Sequence, residues 1–442
     1  MENRKQTMIA VEENQRRKKF LDPSKRGVWL EQIYGSRFDV CPNYAVDSKT
    51  GKKTFDEREV KETYLREGAN HLRDFANLPP DFDEKHEQFA TPPPELQDRK
   101  EVKPPPKPNQ RPRWWNKMYN RQAKHIEGKT WDGLMQETNW KEVRDVVISN
   151  GKNKSAGWDG VNCDLVDIHT EDSVDAPSHF LEILTILINT ALRLGKTLMS
   201  WRKAIISLIP KRKEDGTPTT LIGEMRPISV LQEFGKISSK LLSERLGAIF
   251  LSKPQILDSA QRAFLKDGCT GQCINTLLNT LEDFKGKKKK NPAAQLFILA
   301  YDQVKAYDSV QAYTIKASLE RFNFPQGFID YVLSNLEKAT SCFKTFYGPT
   351  EDFSVKASVR QGDPLSPLIY ICVTDPLHEG LAYNPLFDCK VGYTFSNNPA
   401  LTVSSIGYAD DTLMLGILGR PMDGSRMGSR ILPCAQISVK CP

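Results

Sequence analysis

The sequence predicts an α+β fold, because two kinds of hydrophobic pattern occur along the 442-residue chain. Strand-like apolar runs occupy residues 204–209, 296–301, 353–359 and 404–415. Helical spacing of apolar residues occurs at 181–194, at 234–250 and in the group Ile274, Leu277, Leu278 and Leu281, which is spaced for one buried face. We therefore expect a sheet that packs on helices.

The chain divides into four segments by composition. Residues 1–78 are charged, with a helix expected at 57–75. Residues 79–135 form a linker, first rich in proline and then in basic and aromatic residues. Residues 136–415 form the main folded domain. Residues 416–442 contain scattered Gly and Pro without periodicity and form a tail that differs from the rest.

Charge and cysteine content limit the class of protein. The net charge is +7, so the protein is mildly basic, and no apolar run is long enough to span a membrane. Nine cysteines are scattered without a paired framework, and the chain opens without a signal peptide. The close pair Cys269 and Cys273 has no second pair or nearby His, so we interpret it as structural. These features favour an intracellular protein, in the nucleus or the cytoplasm.

A local basic excess lies in the linker. Residues 100–129 contain nine Lys or Arg against two Glu, and basic and aromatic residues are interleaved between Arg111 and Arg121. Such a segment could neutralise phosphates and stack on bases. It could equally be a linker whose aromatic side chains dock on the next domain.

Two adjacent carboxylates stand at a predicted hairpin tip. Asp410 and Asp411 follow Tyr408 and Ala409, and short apolar runs flank the group on both sides. Hard divalent cations prefer oxygen ligands, and Mg²⁺ usually takes one or two carboxylates plus substrate phosphates. A rigid acidic tip could therefore hold a metal ion against a nucleotide, although an acidic turn can also be merely solvated.

A third carboxylate ends an apolar run upstream. The run 295–301 predicts a buried central strand that ends at Asp302. Beside the acidic hairpin, Asp302 would complete three carboxylates around one pocket, a set suited to two-metal phosphoryl transfer. Alternatively, Asp302 caps the following segment. For Asp308, one turn later, we prefer the capping interpretation.

A loop between these carboxylates has unusual composition. It runs from Arg360 through Gln361 and Gly362 to Pro367. Glycine lets backbone approach a ligand closely, and Pro364 and Pro367 stiffen the loop before an apolar run at 368–373. Alone, the loop could be an ordinary turn; its order relative to Asp302 and the hairpin is hard to attribute to chance.

Together these motifs resemble the reverse transcriptases of non-LTR (LINE-type) retrotransposons over residues 140–415. Residues 150–160 resemble the motif that precedes the fingers, and 201–211 with 225–229 resemble the fingers hairpin. Residues 261–264 resemble the family's Gln-x-Gly-Phe motif, with Ala263 in place of the usual Gly.

The resemblance implies a right-hand polymerase with fingers and palm that copies an RNA template onto a DNA primer from dNTPs. It implies two Mg²⁺ ions held by three carboxylates, those of Asp302, Asp410 and Asp411. The implied nucleotide-binding residues are an arginine and a lysine on the triphosphate, an aromatic gate beneath the sugar, and the loop facing nucleotide and template: Arg226, Lys211, Tyr307, Gln361 and Gly362. From the residues alone, Lys211 and Arg226 could be solvated surface charges and Tyr307 a core aromatic.

The tail does not resemble the family's continuation. After residue 415 we find neither the helix-and-lysine segment nor the primer grip and thumb, and we expect a thumb that is missing or degenerate, with synthesis impaired by truncation. Two other interpretations remain open: a catalytically silent nucleic-acid-binding remnant, and a fragment of a group II intron-type maturase.

Overall fold

The computed structural model describes residues 42–69, 119, 124–150, 154–166, 176–213, 215–303, 305–355, 358–384, 389–390 and 392–418. Its α-helices are α1 (Glu57–Thr63), α2 (Trp140–Ile148), α3 (His179–Leu194), α4 (Glu233–Ser252), α5 (Thr270–Lys290), α6 (Ala312–Arg321), α7 (Gln326–Ser334) and α8 (Ser366–Ala382). A π-helix follows α1 at Tyr64–Ala69, and short 3-10 helices occur at Gly128–Trp131, Met199–Arg202, Ile222–Glu224 and Pro254–Ile256.

The strands are mostly short. They are β1 (Ala45–Val46), β2 (Lys53–Thr54), β3 (Lys203–Ile209), β4 (Arg226–Leu231), β5 (Gln295–Tyr301), β6 (Thr340–Thr345), β7 (Gly348–Pro349), β8 (Phe353–Ser354), β9 (Tyr383–Asn384), β10 (Cys389–Lys390), β11 (Tyr393–Thr394), β12 (Thr402–Val403), β13 (Ser405–Tyr408) and β14 (Asp411–Leu418). Helices and sheets are thus mixed, which confirms the α+β class.

The chain forms two compact units. The smaller comprises the described parts of residues 1–69, 206–228 and 342–351. It contains the β1–β2 hairpin, α1 and parts of β3, β4 and β6. Asp56 caps α1 by accepting hydrogen bonds from the backbone N–H groups of Arg58 and Glu59. The rings of Tyr64 and Phe343 pack edge to face, 6.4 Å between centroids, in its interior.

The larger unit holds the remaining described residues and a helical core. Helix α3 shows how the sequence forms it: Leu181, Leu184 and Ile188 recur at helical spacing and are buried. Ser178 accepts a hydrogen bond from the Leu181 N–H at its start, and Gly195 ends it in the left-handed conformation.

Two sheets are most relevant to the site. One has the strand order β4–β3–β6–β7, with β8 paired to β6. The other is antiparallel with the order β13–β14–β5. Helix α5 packs on the latter, where Leu277 and Phe284 contact a small core of Tyr393, Ile406 and Leu415.

Strand β5 departs from the sequence-based expectation. It forms over the predicted residues, but it is an edge strand in the described part of the chain rather than a central one. Phe297, Ile298 and Leu299 are 39% to 51% exposed. An apolar run indicates that a strand can be buried on both faces. It does not show whether another strand or helix will cover those faces.

Two other predictions, on a helix and on a strand, also differ from the structure. The single buried face predicted for α5 is wrong at Ile274 and Leu278, which are exposed because the helix turns Cys273 and Leu277 to the sheet instead. The strand predicted at 353–359 is only Phe353–Ser354, with residues 356 and 357 outside the described set. The proline-rich part of the linker and the Arg111–Arg121 segment, apart from Tyr119, also lie outside it.

Candidate active site

The acidic turn is a two-residue hairpin loop. Tyr408 pairs with Asp411, so Ala409 and Asp410 form the connection between β13 and β14. Ala409 has a φ of 58°, in the left-handed region that non-glycine residues seldom adopt. Asp410 is half-buried, and Asp411 is exposed. The predicted hairpin is therefore present, with its carboxylates at the tip.

A buried glutamine contacts this turn from outside the hairpin. Gln261 is 2% exposed. Its Oε1 accepts a hydrogen bond from the Ala409 N–H, and its Nε2 donates one to the Ala409 carbonyl, each at 3.1 Å. The backbone beside it bonds to β13 as well, since the Arg262 N–H donates to the Gly407 carbonyl at 3.0 Å.

Strand register brings Asp302 to the hairpin. Tyr301 pairs with Thr412, and because the strands are antiparallel, the next residues along the ladder are Asp302 and Asp411. Facing Cα atoms in such a ladder are about 4.5–5.5 Å apart. The expected convergence of β5 with the acidic hairpin is thus present in the backbone.

The carboxylates of Asp410 and Asp302 both act electrostatically on Tyr370. Burial raises the pKa of the Tyr370 hydroxyl, and the negative charges of Asp410 and Asp302 raise it further. Both carboxylates therefore act on one buried phenol of α8. In the described part of the chain, none of Asp302, Asp410 and Asp411 forms an ion pair with Lys or Arg.

The donor set fits Mg²⁺ chemically. Asp302, Asp410 and Asp411 offer hard oxygen donors at strand ends and a turn. The described residues contain no group of three or more His, Cys, Asp or Glu side chains arranged to hold an ion by themselves. Mg²⁺ is usually bound through one or two carboxylates with waters and substrate phosphates rather than by a protein cage.

The predicted gate residue belongs to a stacked pair. The ring of Tyr307 lies on that of Tyr370, with 4.5 Å between centroids and 11° between planes. The Tyr370 hydroxyl donates to Gln303 Oε1 at 2.8 Å. Burial, then the charge of Asp410, raises the pKa of Tyr307. Tyr307 is thus both partly packed on the main core and close to an acidic residue of the turn.

The loop at 360–367 is held close to β4. The Ser229 N–H donates to the Gln361 carbonyl at 2.7 Å. Gly362 has a φ of 116°, and a Cβ there would stand 2.3 Å from the Ser229 carbonyl oxygen. Glycine is therefore required at 362 by both backbone conformation and space. The Asp363 carboxylate accepts from the Leu365 N–H at 2.9 Å, and α8 begins at the next residue, Ser366.

Lys211 and Arg226 lie in the smaller unit. Arg226 is exposed at the first position of β4, and Lys211 is exposed just after β3. The backbone of Lys211 accepts a hydrogen bond from the Thr219 N–H at 2.9 Å, which closes the loop that carries it. Their binding of a triphosphate stays a prediction.

Asp308 follows Tyr307 in the chain and is buried, with only 5% of it exposed. Burial raises its pKa to about 6, against smaller opposing effects of Lys305 and of the Ser358 hydroxyl. Ser358 Oγ donates to its carboxylate at 3.5 Å. The described contacts of the carboxylate thus include a loop hydroxyl that the sequence did not indicate.

This burial predicts a pH-dependent stability. Since the folded pKa lies above the unfolded one, the stabilising protonated form is complete below about pH 4 and is lost as pH rises to about 6. We expect Asp308→Asn to raise the free energy of unfolding by roughly 3 kcal/mol at pH 7.5 and little at pH 4. Urea denaturation at both pH values measures this, with the exposed Asp330→Asn as control; equal gains at the two pH values would contradict it.

Comparison with known proteins places this site in a class. Residues 209–416 match the family described as reverse transcriptase (RNA-dependent DNA polymerase). The candidate residues all lie within this range: Lys211, Arg226, Asp302, Tyr307, Gln361, Gly362, Asp410 and Asp411. Residues 209–416 are therefore similar to a reverse transcriptase domain.

The chain is also similar to parts of three proteins named for transposable elements. The chain is 28% identical over 237 residues to the retrovirus-related Pol polyprotein from type-2 retrotransposable element R2DM of Drosophila melanogaster, covering 53% of this chain and 21% of that protein. It is 26% identical over 222 residues to the corresponding polyprotein of the type-1 element R2 of Popillia japonica, covering 50% and 28%. It is 26% identical over 263 residues to the transposon TX1 uncharacterized 149 kDa protein of Xenopus laevis, covering 60% and 18%.

These similarities confirm the predicted resemblance to non-LTR retrotransposon reverse transcriptases. The chain spans about a fifth to just over a quarter of the length of these relatives. Among the helices that the structure describes, none combines the length and the hydropathy that a membrane span requires.

Sequence reasoning missed two residues that contact the site. Tyr370 supports Tyr307, and Gln261 bonds to Ala409. Gln261 was visible only as part of a motif, since its spacing of 148 residues from Ala409 carries no local signal. Tyr370 sits inside an apolar run, where a tyrosine is most simply a core residue.

Proposed function

We propose that the chain acts as the RNA-directed DNA polymerase part of a non-LTR retrotransposon protein. Its substrates would be dNTPs, a DNA primer and an RNA template. The observation that supports this most is the register that sets Asp302 beside Asp411, next to the turn bearing Asp410, inside a reverse transcriptase domain.

The reaction is a nucleotidyl transfer. The primer 3′-hydroxyl gives its proton to solvent water, its oxygen forms a bond to the α-phosphorus of the dNTP, and the bond from that phosphorus to the leaving pyrophosphate breaks. Two Mg²⁺ ions, when bound, neutralise charge on the attacking and leaving oxygens. Asp302, Asp410 and Asp411 would hold them. Phosphoryl transfer needs little covalent help from protein, so positioning and charge neutralisation carry most of the rate.

Other residues would bind and select the nucleotide. Arg226 offers a bidentate fork to phosphate oxygens and Lys211 a point charge. Gly362, without a side chain, would let the loop backbone approach the nucleotide and template, with Gln361 beside it. The stacked ring of Tyr307 would lie beneath the sugar and exclude a 2′-hydroxyl by contact rather than by attraction.

The proposed gate role of Tyr307 can be tested by substitution. Tyr307→Val removes the ring and should raise ribonucleotide incorporation relative to deoxyribonucleotide by about tenfold or more, because a lost steric clash is worth roughly 1–3 kcal/mol. Competing single-nucleotide incorporation of rUTP and dTTP opposite the same RNA template measures the ratio. If DNA synthesis persists and the ratio is unchanged, the gate assignment is wrong. Tyr347→Val, a variant in the smaller unit, is the control.

The function is tested by primer extension with purified protein on RNA templates, Mg²⁺ and dNTPs. Mg²⁺-dependent incorporation opposite RNA supports a polymerase. Salt-sensitive RNA binding without incorporation would instead favour the silent nucleic-acid-binding remnant. Similarity to retrotransposon polyproteins favours the polymerase over a maturase fragment.

The same proposal extends to architecture and setting. We propose that the smaller unit and the sheet bearing the carboxylates correspond to fingers and palm, and that the protein works inside the cell, in nucleus or cytoplasm. The degenerate-thumb prediction concerns residues after 415, of which the structure describes only 416–418. It stays a prediction.

A further inference from the structure

We propose that Gln261 is a positioning residue that fixes the acidic turn, and through it the placement of Asp410 and Asp411 toward the metal ions. The inference rests on the proposed function, since it concerns how the same site is held. Gln261 does not touch the reacting atoms; it acts through Ala409.

The contact is specific to a primary amide. Gln261 Nε2 donates to the Ala409 carbonyl, while its Oε1 accepts from the N–H groups of both Ala409 and Ala263 at 3.1 Å. One side chain thus satisfies both backbone groups of the residue that precedes Asp410. A carboxylate could accept but not donate, and an apolar side chain could do neither.

The turn needs such support. Ala409 lies at φ 58°, where a side chain is disfavoured relative to the right-handed region because its Cβ comes close to the following carbonyl oxygen. A two-residue hairpin loop without an external partner can relax by rotating this residue, which would move the Asp410 carboxylate. Hydrogen bonds to both backbone groups of Ala409 oppose that rotation.

Gln261 is itself held in place by its surroundings. Gln261 is buried, and the chain on either side of it bonds to β13: the Gly407 N–H donates to the Ala260 carbonyl at 2.9 Å, and the Arg262 N–H donates to the Gly407 carbonyl at 3.0 Å. Residue 407 must be small there, because a Cβ would stand 2.5 Å from Cε1 of the buried His378. The turn is therefore held by strand β13, which precedes it, and by the side-chain amide of Gln261.

The main test replaces Gln261 with methionine, which has a similar length and volume but no hydrogen-bonding amide. Loss of the amide's hydrogen bonds to Ala409 and Ala263 should raise the Mg²⁺ concentration for half-maximal primer extension about tenfold and lower kcat about tenfold. The KM for dNTP should stay within about twofold, because the contact does not reach the nucleotide. The matched control is Gln326→Met, an exposed glutamine on α7.

Two readouts do not depend on turnover. Binding of Mn²⁺ to the protein without nucleotide, followed by electron paramagnetic resonance, should weaken about tenfold in Gln261→Met and stay unchanged in Gln326→Met. Amide hydrogen exchange in the peptide covering 404–412 should become faster by about tenfold, since the Ala409 N–H loses its acceptor.

A rescue separates positioning from general packing. Glycine adopts a positive φ at little cost, so Ala409→Gly added to Gln261→Met should recover most of the lost Mn²⁺ affinity. If Gln261 only fills space, the second change would recover nothing. Should the methionine variant lose its cooperative thermal transition, Gln261→Asn serves instead, because the shorter amide cannot reach both groups of Ala409.

Failure of this inference differs from failure of the proposed function. If the wild-type chain polymerises but Gln261→Met keeps its Mg²⁺ dependence, Mn²⁺ affinity and exchange rates within twofold, Gln261 is not a positioning residue and the function stands. If the wild-type chain shows no Asp410-dependent incorporation, the function is wrong. Mn²⁺ binding that ignores Asp410→Asn and Gln261→Met alike would overturn the metal role of the turn as well.

Discussion

Replacement of Asp410 by Asn is expected to abolish RNA-templated primer extension, with a loss of roughly a thousandfold or more. Asparagine keeps the size of the side chain and leaves the Gln261–Ala409 hydrogen bonds intact. It removes the negative charge that would hold a metal ion, and several kcal/mol of charge neutralisation are lost with it. Single-turnover extension on an RNA template with saturating dNTP measures the effect.

The same experiment on Asp302 tests the convergence of the two strands. Asp302→Asn, on β5, should lose activity as severely as Asp410→Asn, because register places it beside Asp411. The exposed Asp330→Asn on α7 should behave as wild type and serves as control. Full activity in Asp302→Asn would remove that residue from the ligand set, while full activity in both site variants would leave no role for the acidic hairpin.

The second large effect is expected at Gly362. Gly362→Ala places a Cβ 2.3 Å from the Ser229 carbonyl oxygen at a φ of 116°, so the loop or β4 must shift. Strain and displacement together should cost about 3 kcal/mol or more of the free energy of unfolding. In a chain of this size, whose unfolding entropy is roughly 0.9 kcal/mol/K, that lowers the midpoint of thermal unfolding by about 3 °C. The rate of primer extension should also fall, and by more than the loss of folded protein explains, since the loop moves.

A glycine elsewhere provides the matched control. Gly286 lies within α5, and an added Cβ there would meet nothing within 4 Å. Gly286→Ala should therefore raise the midpoint slightly, because alanine favours helix by about 1 kcal/mol over glycine. Scanning calorimetry of both variants compares the same chemical change in two settings. A midpoint for Gly362→Ala equal to that of wild type would show that the loop accommodates a side chain.

Local patterns predicted the acidic hairpin and β5 well. A two-residue turn between apolar runs indicates a hairpin, and Asp302 follows the strand as expected. Register could not be read from the sequence, because it depends on which strands meet and where each turn ends. The pairing of Tyr301 with Thr412, which brings the backbone at Asp302 to that at Asp411, emerges only in three dimensions.

Burial was harder to predict than secondary structure. The apolar residues of β5 and the pair Ile274 and Leu278 on α5 suggested interior positions, yet they are exposed in the described structure. Hydrophobic patterning indicates which face of a helix or strand could be covered. The helix or strand that covers it comes from a distant part of the chain and cannot be read from the local pattern. Distance in sequence likewise hid the contact of Gln261 with Ala409.

The Tyr307–Tyr370 stack has a consequence for how a nucleotide would meet this surface. Burial and neighbouring carboxylates both raise the pKa of these phenols, so neither ring is an anion at neutral pH. A triphosphate approaching the site therefore meets no tyrosinate to repel it. Neither phenol is poised to take up a proton during synthesis. In the proposed sugar gate the pair would therefore act by shape, and discrimination between sugars should be the same in mildly acidic and mildly alkaline buffer.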